Sequence, residues 1–137
     1  MEKKLIHITA LHTAKLRATP TRLAVLKVLQ NTRHPLSVEG IHKKVRGADL
    51  VTVYRTLESF ESAGIAARVS IGDGIVRFER KLPHHHHLVC AHCGTVEDIV
   101  GGPLQEVEKS LQKVSRRFKS IYAHDLEFFG MCETCVH

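Results

Sequence analysis

Apolar residues return every three or four positions through the first part of the chain. Over residues 3–17, Leu5, Ile8 or Thr9, Leu11 or His12, and Leu16 fall on one side with lysines elsewhere, which predicts an amphipathic helix. Thr19-Pro20 then offers an N-cap and a first-turn proline, and Leu23, Leu26 and Leu29 carry a second helix to about Gln30. Ser37-Val38-Glu39-Gly40 opens a short third helix, with Arg46-Gly47 as its stop. A fourth helix runs from Leu50 to Ala63. Stepping about 100° per residue from Val53, Leu57 falls at about 40° and Phe60 at about 340°, forming one inward stripe. Arg55, at about 200°, points away, and Tyr54, at about 100°, flanks the stripe.

After Gly64 the period changes. The β-branched runs Ile65–Ile71 and Ile75–Glu79 are separated by Gly72-Asp73-Gly74, a hairpin signal. Helices followed by a β-hairpin form the winged-helix arrangement, so residues 1–82 are expected to be an N-terminal winged-helix DNA-binding domain. Leu82-Pro83 breaks the pattern and reads as a hinge. Beyond it, Leu88–Val100 and Ser120–Phe129 read as strands flanking a helix at about 103–118, in which Leu104, Val107, Leu111 and Val114 recur at helical spacing. Residues 83–137 are therefore expected to be a small α/β domain, and the fold class is α+β. Ile121, Leu126, Phe128 and Phe129 are more apolar surface than such a short domain buries alone, which points to a homodimer paired through it. No apolar run approaches the roughly 20 residues of a membrane span, and the start Met1-Glu2-Lys3-Lys4 leads into an amphipathic stretch. The expectation is a cytoplasmic protein with no membrane partner.

Charge sharpens this division. The 137 residues carry 20 Lys+Arg and 14 Asp+Glu, a formal +6. Residues 1–82 hold 15 of the basic and 7 of the acidic side chains, leaving 5 and 7 for the rest, so the first part is +8 and the second −2. A basic excess of this kind suits a polyanion such as DNA, although it also serves solubility. All four cysteines and seven of the eleven histidines lie in the second part. A basic segment joined to a Cys/His-rich one suggests nucleic-acid binding under metal control.

Two metal motifs follow. Cys90-Ala91-His92-Cys93 and Cys132-Glu133-Thr134-Cys135 are C-x-x-C pairs separated by 38 residues. Each pair can hold a tetrahedral ion from one tight turn, so together they suit structural Zn²⁺. Redox-active thiols or disulfides are the competing readings, disfavoured in a cytosolic setting. His84-His85-His86-His87, with Glu79, Asp98, His124 and His34, supplies a second donor set. In an extended run His85 and His87 share one face and His84 and His86 the other, so four consecutive residues can serve two sites. Imidazole with carboxylate suits Fe²⁺, Mn²⁺ or Zn²⁺, and a solvated histidine loop is the alternative. A zinc-dependent hydrolase with Glu79 or Asp98 as general base would use the same residues, but leaves Thr52–Arg55 and the basic half unexplained. A zinc-stabilised interaction or metal-storage module is a third reading.

The pieces Thr19-Pro-Thr-Arg22, Thr52-Val-Tyr-Arg55, Ala63-Gly64, Phe78-Glu79, His84–His87, Cys90-Ala-His-Cys-Gly94 and Gly130-Met-Cys-Glu-Thr-Cys135, taken in order, resemble the ferric uptake regulator superfamily of bacterial metal-dependent repressors. The resemblance covers roughly residues 10–135. It implies a homodimeric repressor that binds palindromic double-stranded DNA operators when loaded with metal. Thr52, Tyr54 and Arg55 match the start of the DNA-recognition helix, and Arg22 lies in the other matching piece of the DNA-binding domain. Cys90, Cys93, Cys132 and Cys135 match the structural zinc site. His34, Glu79, His85, His87 and Asp98 match the regulatory site. His84, His86, Gln105 and His124 match a further site, with Gln105 where a glutamate is common and His86 where an aspartate is common. Asp98 stands where the peroxide-sensing branch places Asp and iron sensors commonly place Glu.

Overall fold

In the computed structural model, which describes residues 1–82, 85–100, 104–121 and 126–136, the chain separates into two units, Met1–Lys81 and Leu82–His137. In the first unit, helix boundaries follow capping side chains. Helix α1 (Glu2–Thr13) stops short of the expected residue 17, because Lys15 turns left-handed at φ 60°. There Leu16 N–H reaches Leu11 O at 2.8 Å and Lys15 N–H reaches His12 O at 2.9 Å, a Schellman closure. Helix α2 (Pro20–Asn31) begins where Thr19 Oγ1 accepts the Arg22 N–H at 3.3 Å.

Strand β1 (Leu36–Ser37) leads into α3 (Val38–His42), whose Ser37 cap accepts the Gly40 N–H at 3.0 Å. The expected continuation to Arg46-Gly47 is not helical. Lys44 and Val45 bond the carbonyls of Ile41 and His42 three residues back, which tightens the chain into turns and buries Val45. Helix α4 (Leu50–Ser62) starts on Asp49, whose Oδ1 accepts the Thr52 N–H at 2.7 Å. It ends at Gly64 (φ +74°), where Ile65 N–H returns to Phe60 O at 2.9 Å; only glycine takes this conformation at little cost.

Strands β2 (Ala66–Val69) and β3 (Arg77–Arg80) complete an antiparallel sheet ordered β1-β3-β2. Both strands are shorter than their β-branched runs, because Asp73 gathers the wing tip. It accepts the Ile75 N–H at 3.1 Å and the Arg77 guanidinium at 2.9 and 2.7 Å, so the ladder ends at Val69 opposite Arg77. The inward stripe of α4 holds as expected. Val53, Leu57 and Phe60 are fully buried, with Leu26, Ile41 and Phe78 around them. Helices capped by a two-stranded wing make this unit a winged helix.

The second unit is a sheet ordered β5-β4-β6 with one helix, α5 (Leu104–Val114). The expected strand over 88–100 is two antiparallel strands, β4 (His85–Cys90) and β5 (Val96–Val100), divided by the turn at Ala91–Cys93, and β4 starts within the histidine run. Helix α5 ends before residue 118 because the Ser115 hydroxyl accepts the backbone N–H groups of Arg117 and Phe118 at 3.3 and 3.0 Å, ending the helical ladder. Strand β6 (Glu127–Gly130) runs parallel to β4. Among the described residues, no helix is long and apolar enough to cross a membrane.

Replacing Phe60 with Ala should cost about 3–5 kcal/mol of stability, measured by urea unfolding of the first unit's signal, because the ring is fully buried at the centre of the core. At the wing tip, the Arg77 guanidinium and then the Ile75 N–H pull the Asp73 pKa from 3.8 to about 2. Its contribution should be complete above about pH 4 and fade as pH falls through 2. A carboxyl NMR titration should show that midpoint, and Arg77→Gln should return it toward 3.8.

Candidate metal centres and nucleic-acid interface

The two C-x-x-C pairs meet because β4 and β6 pair in parallel with Cys90 opposite Gly130, which delivers Cys132 two residues later. Ala91 N–H bonds Gly130 O at 2.8 Å and Cys132 N–H donates to Cys90 Sγ at 3.4 Å, tying one pair to the other. Gly94 (φ +75°) closes the first turn by donating to Cys90 O at 2.9 Å. All four sulfur atoms lie within 4.8 Å of one another, and Cys93 Sγ and Cys132 Sγ are 3.7 Å apart. A tetrahedron of Zn–S bonds near 2.3 Å has edges of about 3.8 Å, so the cluster fits zinc.

The surroundings also favour the thiolate at two of the four cysteines. Backbone N–H groups of Cys93, Cys132 and His92 lower the Cys90 pKa to about 5, and the Thr95 hydroxyl, 3.1 Å from Cys93 Sγ, lowers that of Cys93. Without a cation, Cys135 is pushed up to about 12, chiefly by its hydrogen bond with Cys132. All four cysteines are free thiols.

A second donor set lies across β4 and β5. His87 and Asp98 are direct cross-strand partners, with Nε2 and Oδ1 3.4 Å apart. His85 shares their face, as the alternation of a strand requires, its ring 5.0 Å from that of His87. The ligand atoms of these three residues lie within 4.8 Å of one another. Asp98 Oδ1 is buried and makes no hydrogen bond. A buried carboxylate oxygen beside two imidazoles is a donor set that a divalent cation satisfies.

Glu79 sits buried on β3 of the first unit, and His34 is exposed in the bend between α2 and β1. His86 occupies the other face of β4, buried edge-on against Phe128 with ring centroids 6.2 Å apart. Gln105 stands near the start of α5, its side chain outside the described residues, as are His84 and His124.

On the first unit, Thr52 and Arg55 are exposed on the opening turns of α4. Tyr54 is half-buried, its ring edge-on to Phe78 at 6.4 Å. Arg22 donates from Nη1 to Arg17 O at 3.0 Å. One residue on this face was not singled out by sequence. Arg68 of β2 bonds Glu61 at 2.9 Å and lies over the rings of Phe78 and Tyr54. Its signal was the cross-strand register, which sets it opposite Phe78.

A winged helix followed by a sheet that closes a four-thiolate centre is the architecture of a zinc-containing winged-helix protein. A match to the ferric uptake regulator family spans residues 13–129. The ferric uptake regulation protein of Bacillus subtilis (strain 168) is 35% identical over 91% of this chain and 89% of its own length. The peroxide-responsive repressor PerR of Staphylococcus epidermidis (strain ATCC 12228 / FDA PCI 1200) is 30% identical, over 93% and 87% respectively. The crystal structure of the Vibrio cholerae ferric uptake regulator superposes with a TM-score of 0.78 at 32% identity, covering 91% of this chain and 98% of that one. The chain belongs to the ferric uptake regulator family. Members of this family are metal-responsive transcription regulators, not enzymes, and nothing supports the hydrolase reading.

Cys90→Ser should abolish zinc retention and unfold the second unit while the first unit keeps its helical circular dichroism. Acidification should release the zinc for the same reason, because protons compete for the sulfur atoms. A zinc assay after gel filtration, read beside circular dichroism, checks both.

Proposed function

We propose that this chain is a cytoplasmic repressor that binds a palindromic double-stranded operator as a metal-loaded homodimer. Residues 1–82 serve as the DNA-binding domain and residues 83–137 as the dimerisation domain. Thr52, Tyr54, Arg55 and Arg22 face the DNA, Arg55 being suited to a guanine edge or a phosphate. Cys90, Cys93, Cys132 and Cys135 hold structural zinc. His85, His87 and Asp98, joined by Glu79 and His34, hold the regulatory Fe²⁺, Mn²⁺ or Zn²⁺, and His84, His86, Gln105 and His124 form a weaker additional site.

The observation that carries the reading is the buried Asp98 oxygen beside His87, a donor set assembled within the fold whose chemistry suits a divalent cation. Exposed Val107, Leu111 and Val114 on α5, and exposed Phe128 and Phe129 on β6, support the dimer, because this much uncovered apolar surface on a small domain is unfavourable in water. Control follows from linkage. Ligands drawn from both sides of residue 82 favour the single domain arrangement in which all of them reach one ion. Moving the population from 1:99 to 99:1 requires about 10⁴-fold tighter binding to that arrangement, roughly 5.5 kcal/mol.

Operator affinity should depend on the regulatory metal and fall with log[salt] at a slope of roughly −4 to −5, as for about four to six neutralised phosphates per dimer. Equal affinity after chelation, or a slope near zero, would overturn the reading. His87→Ala should leave a folded, dimeric, zinc-containing protein by light scattering and metal analysis, yet one whose DNA binding no longer answers added Mn²⁺ or Fe²⁺.

A further inference from the structure

Arg68 touches the helix placed against DNA at two points. Its Nε donates to Glu61 Oε2 at 2.9 Å, and its guanidinium carbon lies 6.0 Å from the centre of the Tyr54 ring and 4.9 Å from that of Phe78. Tyr54 and Glu61 are seven residues apart on α4, two helical turns on one face and about 10 Å along the axis. Phe78 is fully buried and is the direct cross-strand partner of Arg68. One wing side chain therefore spans two turns of α4 while lying over the aromatic residue that Tyr54 leans on.

We propose that Arg68 is a specificity-determining positioning residue: it holds the Tyr54 side chain between α4 and the wing, and thereby aims Tyr54, without itself contacting DNA. The physical basis is the planar guanidinium. Buried Val53, Leu57 and Phe60 already fix the roll of α4, so what Arg68 adds is local: anchored on Glu61 and lying over Phe78, it borders the Tyr54 ring and narrows the positions that ring can take. Arginine does both at once, because its fork bonds a carboxylate while its face lies on a ring. Its Nε–H is committed to Glu61 and its face to Phe78, which ties the guanidinium to the protein. The inference rests on the assignment of Tyr54 and Arg55 to DNA.

The test compares the full-length protein with Arg68→Met, Arg68→Lys, Tyr54→Ala, Arg68→Met/Tyr54→Ala and Arg55→Ala, all loaded with Mn²⁺. Methionine keeps Phe78 covered but cannot hold the carboxylate, and lysine keeps the charge but not the plane, so at least one folded variant is available. The probes are a duplex enriched from a random-sequence library by the native protein and its scrambled counterpart, each titrated over a salt series. The expected result is that Arg68→Met lowers the preference for the enriched duplex by about fivefold or more, the scale of one lost base contact, with an unchanged salt slope. The same replacement should then have no further effect on preference in the Tyr54→Ala background.

A slope reduced by about 1.8 per dimer, with both duplexes weakened alike, would make Arg68 a phosphate contact and overturn the proposal. Native preference in folded Arg68→Met and Arg68→Lys would overturn it too. Arg55→Ala separates the two ideas. If that variant keeps the native preference, the DNA assignment itself fails, whereas loss there with retention in the Arg68 variants removes only the positioning role.

Discussion

The second unit is held together by its thiolates because it has very little else. Among its described residues only Val89, Cys90, Val96 and His86 are buried, whereas the first unit buries a contiguous cluster from Leu11 to Phe78. Three strands and one helix with so small an interior fall below what hydrophobic burial stabilises in a domain of this size. The cross-link between the two C-x-x-C turns therefore replaces a core. This dependence explains why the backbone is so carefully arranged around sulfur. The parallel pairing of β4 and β6, the Ala91 to Gly130 bond and the Gly94 turn all serve to bring four sulfur atoms to one point.

That arrangement also places the second donor set. The strand that ends in Cys90 begins with His85, so whatever anchors the end of β4 also steadies His85 and His87 and keeps His87 in register with Asp98. The four-sulfur cluster and the His85, His87 and Asp98 donor set are thus joined by the six residues of one strand and share no ligand. The first unit solves its own problem differently. Its helices are started by Thr19, Ser37 and Asp49 side chains and are held by aromatic packing at Phe60 and Phe78. Its interior is built of apolar side chains rather than of metal ligands.

Features written locally in the chain were readable from it. The Thr19 and Ser37 caps, the Gly64 stop and the inward stripe of Val53, Leu57 and Phe60 all appear where short-range patterns place them, whereas the Asp49 cap came only with the structure. The C-x-x-C turns and the shared face of His85 and His87 were equally legible, because they depend only on spacing and strand alternation. Features that arise from pairing were not. Lys15 ends α1 in a conformation for which lysine carries no signal. The apolar run from 88 to 100 hid a chain reversal, and the burial of His86 against Phe128 depends on β6, which is distant in sequence. Arg68 looked like any polar residue on a strand until the register set it opposite Phe78.

The parallel pairing of β4 with β6 has a consequence for synthesis. Cys93 and Cys132 are 39 residues apart, so half of the zinc ligands are made well after the other half. At about 5–20 residues per second, the ribosome leaves the first pair without partners for roughly two to eight seconds. During that interval β4 has no β6 to pair with. The first unit, complete by residue 81, has no such wait for its own residues. The four-sulfur site can therefore close only after the first unit has been made, and zinc arriving in that interval meets two sulfur ligands rather than four.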